Sequence, residues 1–389
     1  MTANTKLSFP EIMALGGMTL ALFLGAGNII FPPLVGLQAG TNSLNAGFGF
    51  IITAVLFPAL AILSLAINKG NINELTRPLG KWASFIFIGI CFLTLGMLFG
   101  TPRTATISYE VITNGTADIW WKKLIFSVVF FGLAGAILSR PGKLLEVVGF
   151  ILSPVKISVL IFIGICAWFH PIGEITTATT IYEKQAFKAG FVNGYQTLDV
   201  ISALCFGAII SHTLKQRSVT QTKDIFRYSA SSALIAATGL TLIYICYISM
   251  GAHTPETGAT NGMQIMSAYV EIVFGTYGRE LLAAIITLAC LVTAIGLTSG
   301  TAQFFSQNTG IPYSVFVAIS LISSAAIAIL GLNSLTTLAV PVLNAIYPAV
   351  LMVVVLGIIR RWVNIPDNLY GLCFYSALGV GILSLFVKR

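Results

Sequence analysis

Polar, glycine-rich and proline-rich breaks divide the chain into apolar runs near Ile12 to Leu37, Leu44 to Ile67, Ala83 to Val111, Leu124 to Leu138, Leu145 to Phe169, Val192 to Leu214, Ser229 to Met250, Leu281 to Phe305, Val315 to Leu330, Leu335 to Ile359 and Tyr370 to Val387. Most approach the ~20 residues that an α-helix needs to cross a hydrocarbon core of about 30 Å. No water pairs with exposed backbone groups in that solvent, so only helices and closed barrels span it. Barrel strands would be roughly half as long and would alternate apolar with polar positions, which these runs do not. The pattern predicts an all-α polytopic membrane protein with eleven spans, or twelve if the run holding Pro341 and Pro348 splits.

Composition agrees. Only 9% of the 389 residues are charged and 56% are hydrophobic, against about 25% charged in soluble domains, which excludes a soluble enzyme. A formal charge of +8 would suggest a nucleic-acid partner in a soluble domain. Here the cations lie between apolar runs, where they orient the protein in its bilayer, and no nucleic-acid partner is expected. A cytoplasmic N-terminus puts twelve Lys and Arg residues on the inner side, Lys215, Arg217, Lys223 and Arg227 among them, and seven outside. That asymmetry predicts a multi-pass protein of the cell (inner) membrane with its N-terminus inside, at odds only with Lys388 and Arg389, which an odd span count leaves outside. No cleavage motif follows the first run, so it is expected to stay as the first span. The six cysteines are scattered through apolar runs and fit neither a zinc spacing nor a disulfide framework.

Runs one and six differ from the others. The first contains GAGNIIFPP, from Gly25 to Pro33, and the sixth DVISALCFGAI, from Asp199 to Ile209. Glycine loosens a helix entropically and proline removes a backbone donor. Interrupted helices at corresponding places in two five-helix halves point to an inverted-repeat transporter with its site near the midplane. The chain is therefore read as one transporter domain over residues 1–389, with repeats over about 11–170 and 192–360 and an extra helix at about 369–387. Between runs seven and eight, MQIMSAYVEIVFG has apolar residues at helical spacing, which suits a short interfacial helix, an external lid or an ordinary loop helix.

A helix broken at mid-membrane exposes carbonyls at the end of one half and amides at the start of the next. A cation, a carboxylate and an ammonium can then be held without charged side chains. In run one, Ala21 and Leu24 offer carbonyls to a cation, and Gly25, Ala26 and Gly27 offer amides to a substrate carboxylate. Asn28 beside them is a further polar ligand or a tie between helices. Phe23, Ile29, Ile201, Ser202, Ala203, Phe206 and Gly207 are candidates to line the pocket of an aliphatic side chain. One methylene is worth only about 1 to 3 kcal/mol in such a pocket, so discrimination among Leu, Ile, Val and Met should be modest.

Four ionisable residues stand inside the runs. Lys156 would cost at least about 2.5 kcal/mol unpaired; it is either functional or snorkels to the headgroups. Arg103 and Glu110, seven residues apart and close to one helix face, read as an ion pair at the membrane boundary. Arg103 could instead pair with Asp199 or shape the outer gate. Asp199 could orient the broken strand, meet the substrate ammonium or pair with Arg103. His170, His212 and His253 lie near segment ends and read as interfacial.

The strings FLGAGNIIFPPLVGLQAG (Phe23 to Gly40), TPRTATISYE (Thr101 to Glu110) and ACLVTAIGLTSGTAQFF (Ala289 to Phe305) closely resemble the branched-chain amino acid:cation symporter family, and the likeness runs through nearly the whole chain. The resemblance implies the LeuT fold: a 5+5 inverted repeat, discontinuous helices one and six, and one or two additional C-terminal helices. It implies a substrate such as leucine, isoleucine or valine, with Na+ as the usual coupling cation. That ion would sit between the broken helix one and hydroxyls on helix eight. Thr293 falls at the fold's usual hydroxyl register, with Thr298 and Ser299 as alternates. Oxygen ligands suit a hard cation, although each hydroxyl could equally bond its own preceding turn. In some relatives sharing the fold, a helix-five lysine replaces sodium and couples transport to protons, so Lys156 departs from the simple sodium picture.

The expectation is thus a secondary active importer of branched-chain amino acids by Na+ symport, or a proton-coupled carrier or exchanger of the same fold that uses Lys156. No cofactor beyond the coupling ion, Na+ or H+, is expected, and a single chain is the expected functional unit. A channel would show neither saturation nor counterflow. A membrane enzyme would need a convergent His and Asp set that three scattered histidines do not supply.

Overall fold

The computed structural model describes residues 6–68, 70–114, 119–139, 143–219, 221–254 and 259–386, and they are almost wholly helical. Of the loop and terminal cations, Lys69, Arg140, Lys388 and Arg389 lie outside the described residues, as do the side chains of Lys143 and His212. Segment one is two helices, α1 (Phe9–Phe23) and α2 (Ala26–Ala39). The path leaves the helix at Leu24 (ψ 68°) and runs extended through Gly25 (φ −92°, ψ −172°). Pro32 and Pro33 sit inside α2, about two turns later. The break therefore belongs to the glycines; the prolines only remove two donors from within a continuing helix.

Segment two comprises α3 (Ser43–Ile51) and α4 (Phe57–Ile67), joined by a wide π turn over Ile52–Leu56. After the short α5 (Ile72–Thr76), segment three repeats that construction with α6 (Lys81–Leu93), a π turn over Thr94–Leu98 and α7 (Gly100–Thr113). Then come α8 (Trp120–Leu138) and α9 (Lys143–Phe169).

Segment six corrects the sequence reading. It starts at Thr180, not near Val192: α10 (Thr180–Gly194), kinked at Gln185 (φ −143°, ψ 43°), is its first half and α11 (Asp199–Gln216) its second. The polar character of α10, which holds Glu183, Lys184 and Lys188, conceals it from a count of apolar residues. DVISALCFGAI is continuous helix, and the interruption lies just upstream. There a tight 3-10 turn, Tyr195–Thr197, is followed by Leu198 in the left-handed region at φ 64°. That conformation costs a non-glycine residue about 1 to 2 kcal/mol.

The chain continues as α12 (Thr222–Ala252), α13 (Gly262–Thr309), α14 (Tyr313–Ala328), α15 (Leu332–Ile359) and α16 (Asp367–Leu383). Gly275, at φ 70°, breaks α13 into two legs. The first leg carries the amphipathic run, buries Met263, Met266 and Tyr269, and packs so closely on α2 that a Cβ on Gly262 would lie 1.7 Å from the Ile30 carbonyl oxygen. It is a packed cover. Meanwhile α15 runs unbroken through Pro341 and Pro348, so the extra split does not occur.

Packing sorts the segments into two groups. Segments one, two, six and seven contact one another through α1–α12, α2–α12, α3–α10 and α4–α11, while segments three, four, eight and nine associate through α7–α13, α8–α14 and α13–α14. Helix α9 touches α1, α12 and α13 and so stands between the groups. The two breaks face each other where the groups meet: a Cβ on Gly27 would lie 3.2 Å from Thr197 Cα and 3.5 Å from Arg103 Nη1. Glycine is required there by proximity.

Candidate functional site

At the end of α1 the Leu24 amide donates to Leu20 O at 2.9 Å and the Gly25 amide to Phe23 O at 2.5 Å. The carbonyls of Ala21 and Leu24 are thereby left to other donors, as the last carbonyls of any helix are. Lys156 on α9 supplies one: its Nζ donates to Leu24 O at 2.7 Å and to Ala21 O at 3.3 Å. The lysine is only 5% exposed, so snorkelling to the headgroups is overturned; the amine turns into the protein. An ammonium at a helix C-terminus meets the negative end of the peptide dipoles, and its hydrogen bonds to carbonyls are of the stronger charge-assisted kind.

The same two carbonyls were the ones assigned to sodium, and the amine occupies both. Thr293 on α13 does come to the break, where its Cγ2 would lie 3.8 Å from a Cβ on Gly25, but its hydroxyl donates back to Ala289 O at 3.0 Å. The Thr298 hydroxyl is fully buried and has no partner among the described residues. Ser299 Oγ accepts from the Tyr313 hydroxyl at 3.1 Å.

The second break is held by Arg103. On α7, which follows the π turn, the guanidinium lies in the interior, where Nη1 donates to the Gln196 carbonyl at 2.5 Å and Cζ stands 5.0 Å from the centre of the Phe31 ring. Arg103 is 2% exposed, and its Nε and Nη2 have no partner among the described residues. Neither suggested carboxylate partner is there. Asp199 Oδ2 instead accepts from Asn28 Nδ2 at 2.6 Å and from the Tyr244 hydroxyl at 3.3 Å, and its amide donates to Thr197 Oγ1 at 3.4 Å. Asn28 Nδ2 also meets the Tyr244 hydroxyl oxygen, so Asn28 ties segments one, six and seven together. Glu110 accepts from Asn261 Nδ2 at 2.9 Å and Gln264 Nε2 at 2.6 Å, both on or beside the first leg of α13. It borders a cavity of about 240 Å³ with Thr106, Lys123 and Asn333. The expected Arg103–Glu110 boundary pair is therefore replaced by two separate sets of partners.

Among the pocket candidates, Phe23 and Phe206 meet edge to face with centroids 5.5 Å apart, and Ile29, Ile201, Ser202 and Ala203 are buried. Gly207 belongs elsewhere: its missing Cβ would lie 2.8 Å from Leu65 on α4, so it serves helix packing. The sequence reading missed Gln196, Thr197, Phe31, Tyr244 and Tyr347. Gln196 and Thr197 had a signal in the polar string YQTLD ahead of an apolar run. Tyr244 and Tyr347 had none, each being one aromatic residue within a long apolar segment. Tyr347 stacks on Tyr195 at 4.3 Å between centroids, and its buried hydroxyl has no partner among the described residues.

This geometry can be set beside known proteins. The family model described as "Branched-chain amino acid transport protein" matches residues 8–388. The chain is 43% identical over 381 residues to the branched-chain amino acid permease BrnQ of Escherichia coli (strain K12), covering 97% of this chain and 87% of that protein. It is 43% identical over 350 residues to the branched-chain amino acid transport system 3 carrier protein of Pseudomonas aeruginosa, covering 89% and 80%. Among solved structures, MhsT in complex with L-phenylalanine aligns with a TM-score of 0.62 at 15% identity, over 96% of this chain and 98% of that one. Mhp1, a nucleobase-cation-symport-1 family transporter, aligns at 0.58 and 12%, over 99% and 92%. Both likenesses concern the fold, a LeuT-type arrangement with two discontinuous helices.

Proposed function

Because the chain belongs to the branched-chain amino acid transport protein family, we propose that it is a secondary active transporter that imports leucine, isoleucine or valine by alternating access and is driven by protons through Lys156. The observation that carries this reading is the pair of hydrogen bonds from Lys156 Nζ to Leu24 O and Ala21 O. An ammonium and a sodium ion compete for the same oxygens, and a lysine, unlike a bound metal, can give up its charge without leaving. When protonated, it fastens the end of α1 to α9. When deprotonated, it keeps a donor but loses the charge that the helix dipole favours, and α1 is freer to move. At its other end α1 is joined to the residue that follows α11 by the exposed Glu11–Arg217 pair at 3.4 Å, a kind of contact worth about 0 to 1 kcal/mol and easily opened. The substrate's backbone groups lie at the two breaks in this reading, with its side chain toward Phe23, Phe206 and Ile201. The N-terminus faces the cytoplasm of an inner-membrane protein that works as a single chain.

A sodium-coupled version is favoured by one observation, the approach of Thr293 to Gly25. It requires Lys156 to leave both carbonyls so that Thr293, with Thr298 or Ser299, can complete an oxygen cage. Proteoliposomes decide between the two. With an inward proton gradient and no sodium, labelled leucine accumulates, and Lys156→Ala lowers uptake to that of protein-free vesicles. Accumulation that needs an inward sodium gradient and survives Lys156→Ala overturns the proton reading.

A further inference from the structure

The guanidinium of Arg103 is the one buried cation of the site whose donors are mostly unspent. Lys156 directs its amine at two carbonyls. Arg103 makes one hydrogen bond, through Nη1, and leaves Nε and Nη2, which form one edge of the planar fork, without partners among the described residues. It is held in place all the same: Phe31 lies under its plane at 5.0 Å, and Gln196 O anchors one corner at 2.5 Å. Arginine stays charged in a protein, so an unpaired edge in this position is expensive to maintain.

The guanidinium stands beside the start of α2. A Cβ on Gly27 would be 3.5 Å from Nη1, and Gly27 is the second residue of a helix of 14. The first amides of any helix have no acceptor within it and carry the positive end of its dipole. A guanidinium with unspent donors beside a helix N-terminus suits a planar anion with two oxygens. The cationic character on both sides repels an ammonium and gives a neutral amide nothing to match the charge.

We propose that Arg103 binds the α-carboxylate of the substrate, with its Nε and Nη2 directed at the carboxylate oxygens while the amides of α2 meet them from the other side. The proposal rests on the reading that this break accepts an amino acid. It assigns selectivity for the carboxylate to a side chain of segment three, and leaves to Asn28, Asp199 and Tyr244 the tying of segments one, six and seven. Arginine and not lysine suits the position, since the fork matches a carboxylate in two places and a point charge does not.

Equilibrium binding to the purified full chain tests this independently of the coupling ion. Dissociation constants for leucine, leucinamide and leucinol are measured on the wild type and on Arg103→Gln, with Arg103→Lys used in its place if the Gln chain is not monodisperse. The wild type should bind leucine at least about thirtyfold more tightly than either carboxylate-free analogue, as truncation of a buried charge pair predicts. In the variant, leucine affinity should fall toward that of leucinamide while leucinamide changes little, so that the ratio collapses. A variant that keeps the wild-type ratio overturns the proposal, as does a wild type that binds leucinamide as well as leucine. A merely structural Arg103 would weaken all three ligands together. If leucine fails to bind but another amino acid binds, the substrate reading fails, and the acid-to-amide ratio of that amino acid still tests Arg103.

Discussion

Segments one and six are each interrupted, and each of these two breaks is held by one buried cation from another segment of the first half. At the first, Lys156 spends its charge on Ala21 and Leu24 at the C-terminal end of α1. At the second, Arg103 reaches Gln196 beside the start of α2 and keeps two nitrogens free among the described residues. The difference is chemical. Lysine can lose its proton and arginine cannot, so the cation at the first break can change its charge and the one at the second cannot. On the function proposed above, a coupling site and a substrate site are built from helix ends that differ in the choice of cation.

The largest expected effect comes from removing that difference. Lys156→Arg retains a positive charge near Ala21 and Leu24 but cannot deprotonate, so proton-driven leucine accumulation in vesicles should be lost as completely as in the alanine variant. Accumulation at the wild-type rate would show that titration at the first break is dispensable. Next comes the scaffold beneath the first break. A Cβ on Gly36 would lie 2.0 Å from Ile248 O on α12, so Gly36→Ala should force α2 and α12 apart and cost about 1 to 3 kcal/mol, read as a lower Tm in detergent.

Asp199→Asn probes the boundary between tie and ligand. The carboxylate accepts from Asn28 and Tyr244, and replacing it should cost about 1 to 3 kcal/mol of stability while leaving the leucine-to-leucinamide ratio unchanged. A changed ratio would move the carboxylate receptor away from Arg103. The smallest effect is expected at Gly17 of α1, where an added Cβ meets nothing within 4 Å. Gly17→Ala should raise stability by about 0.5 to 1 kcal/mol and leave uptake unchanged, which separates the packing of α1 from its broken end.

Much of the scaffold was legible from hydropathy because lipid imposes a simple rule: long apolar runs become helices. Segment six was not fully legible for the converse reason. The first part of its first half, α10, is mostly exposed and polar, with Glu183, Lys184 and Lys188 on its surface, so it does not read as apolar. Glycine betrayed the first break, since Gly25 and Gly27 open a string with no other reason to be flexible. The second break turns on Leu198 in a left-handed conformation, a choice that no propensity favours and that the surrounding packing imposes. Arg103 and Glu110 show the limit of spacing arguments. Seven residues put them near one helix face, yet one meets Gln196 and the other Asn261 and Gln264, because each finds its partner on a different neighbouring helix.

The linear order of residues was enough to decide that the chain crosses a membrane many times and that its first segment is broken at a Gly-Ala-Gly, and it singled out Lys156 and Arg103 as costly in lipid while leaving a functional and a structural reading open for each. Local composition and the physics of the bilayer suffice for those conclusions. The partners of the two cations were decided only by folding. Lys156 lies 132 residues from Leu24 and Arg103 lies 93 from Gln196, and hydrogen bonds form within about 3 Å. Helices far apart in the chain had to pack before a carbonyl at one break could become the acceptor of an amine on another helix.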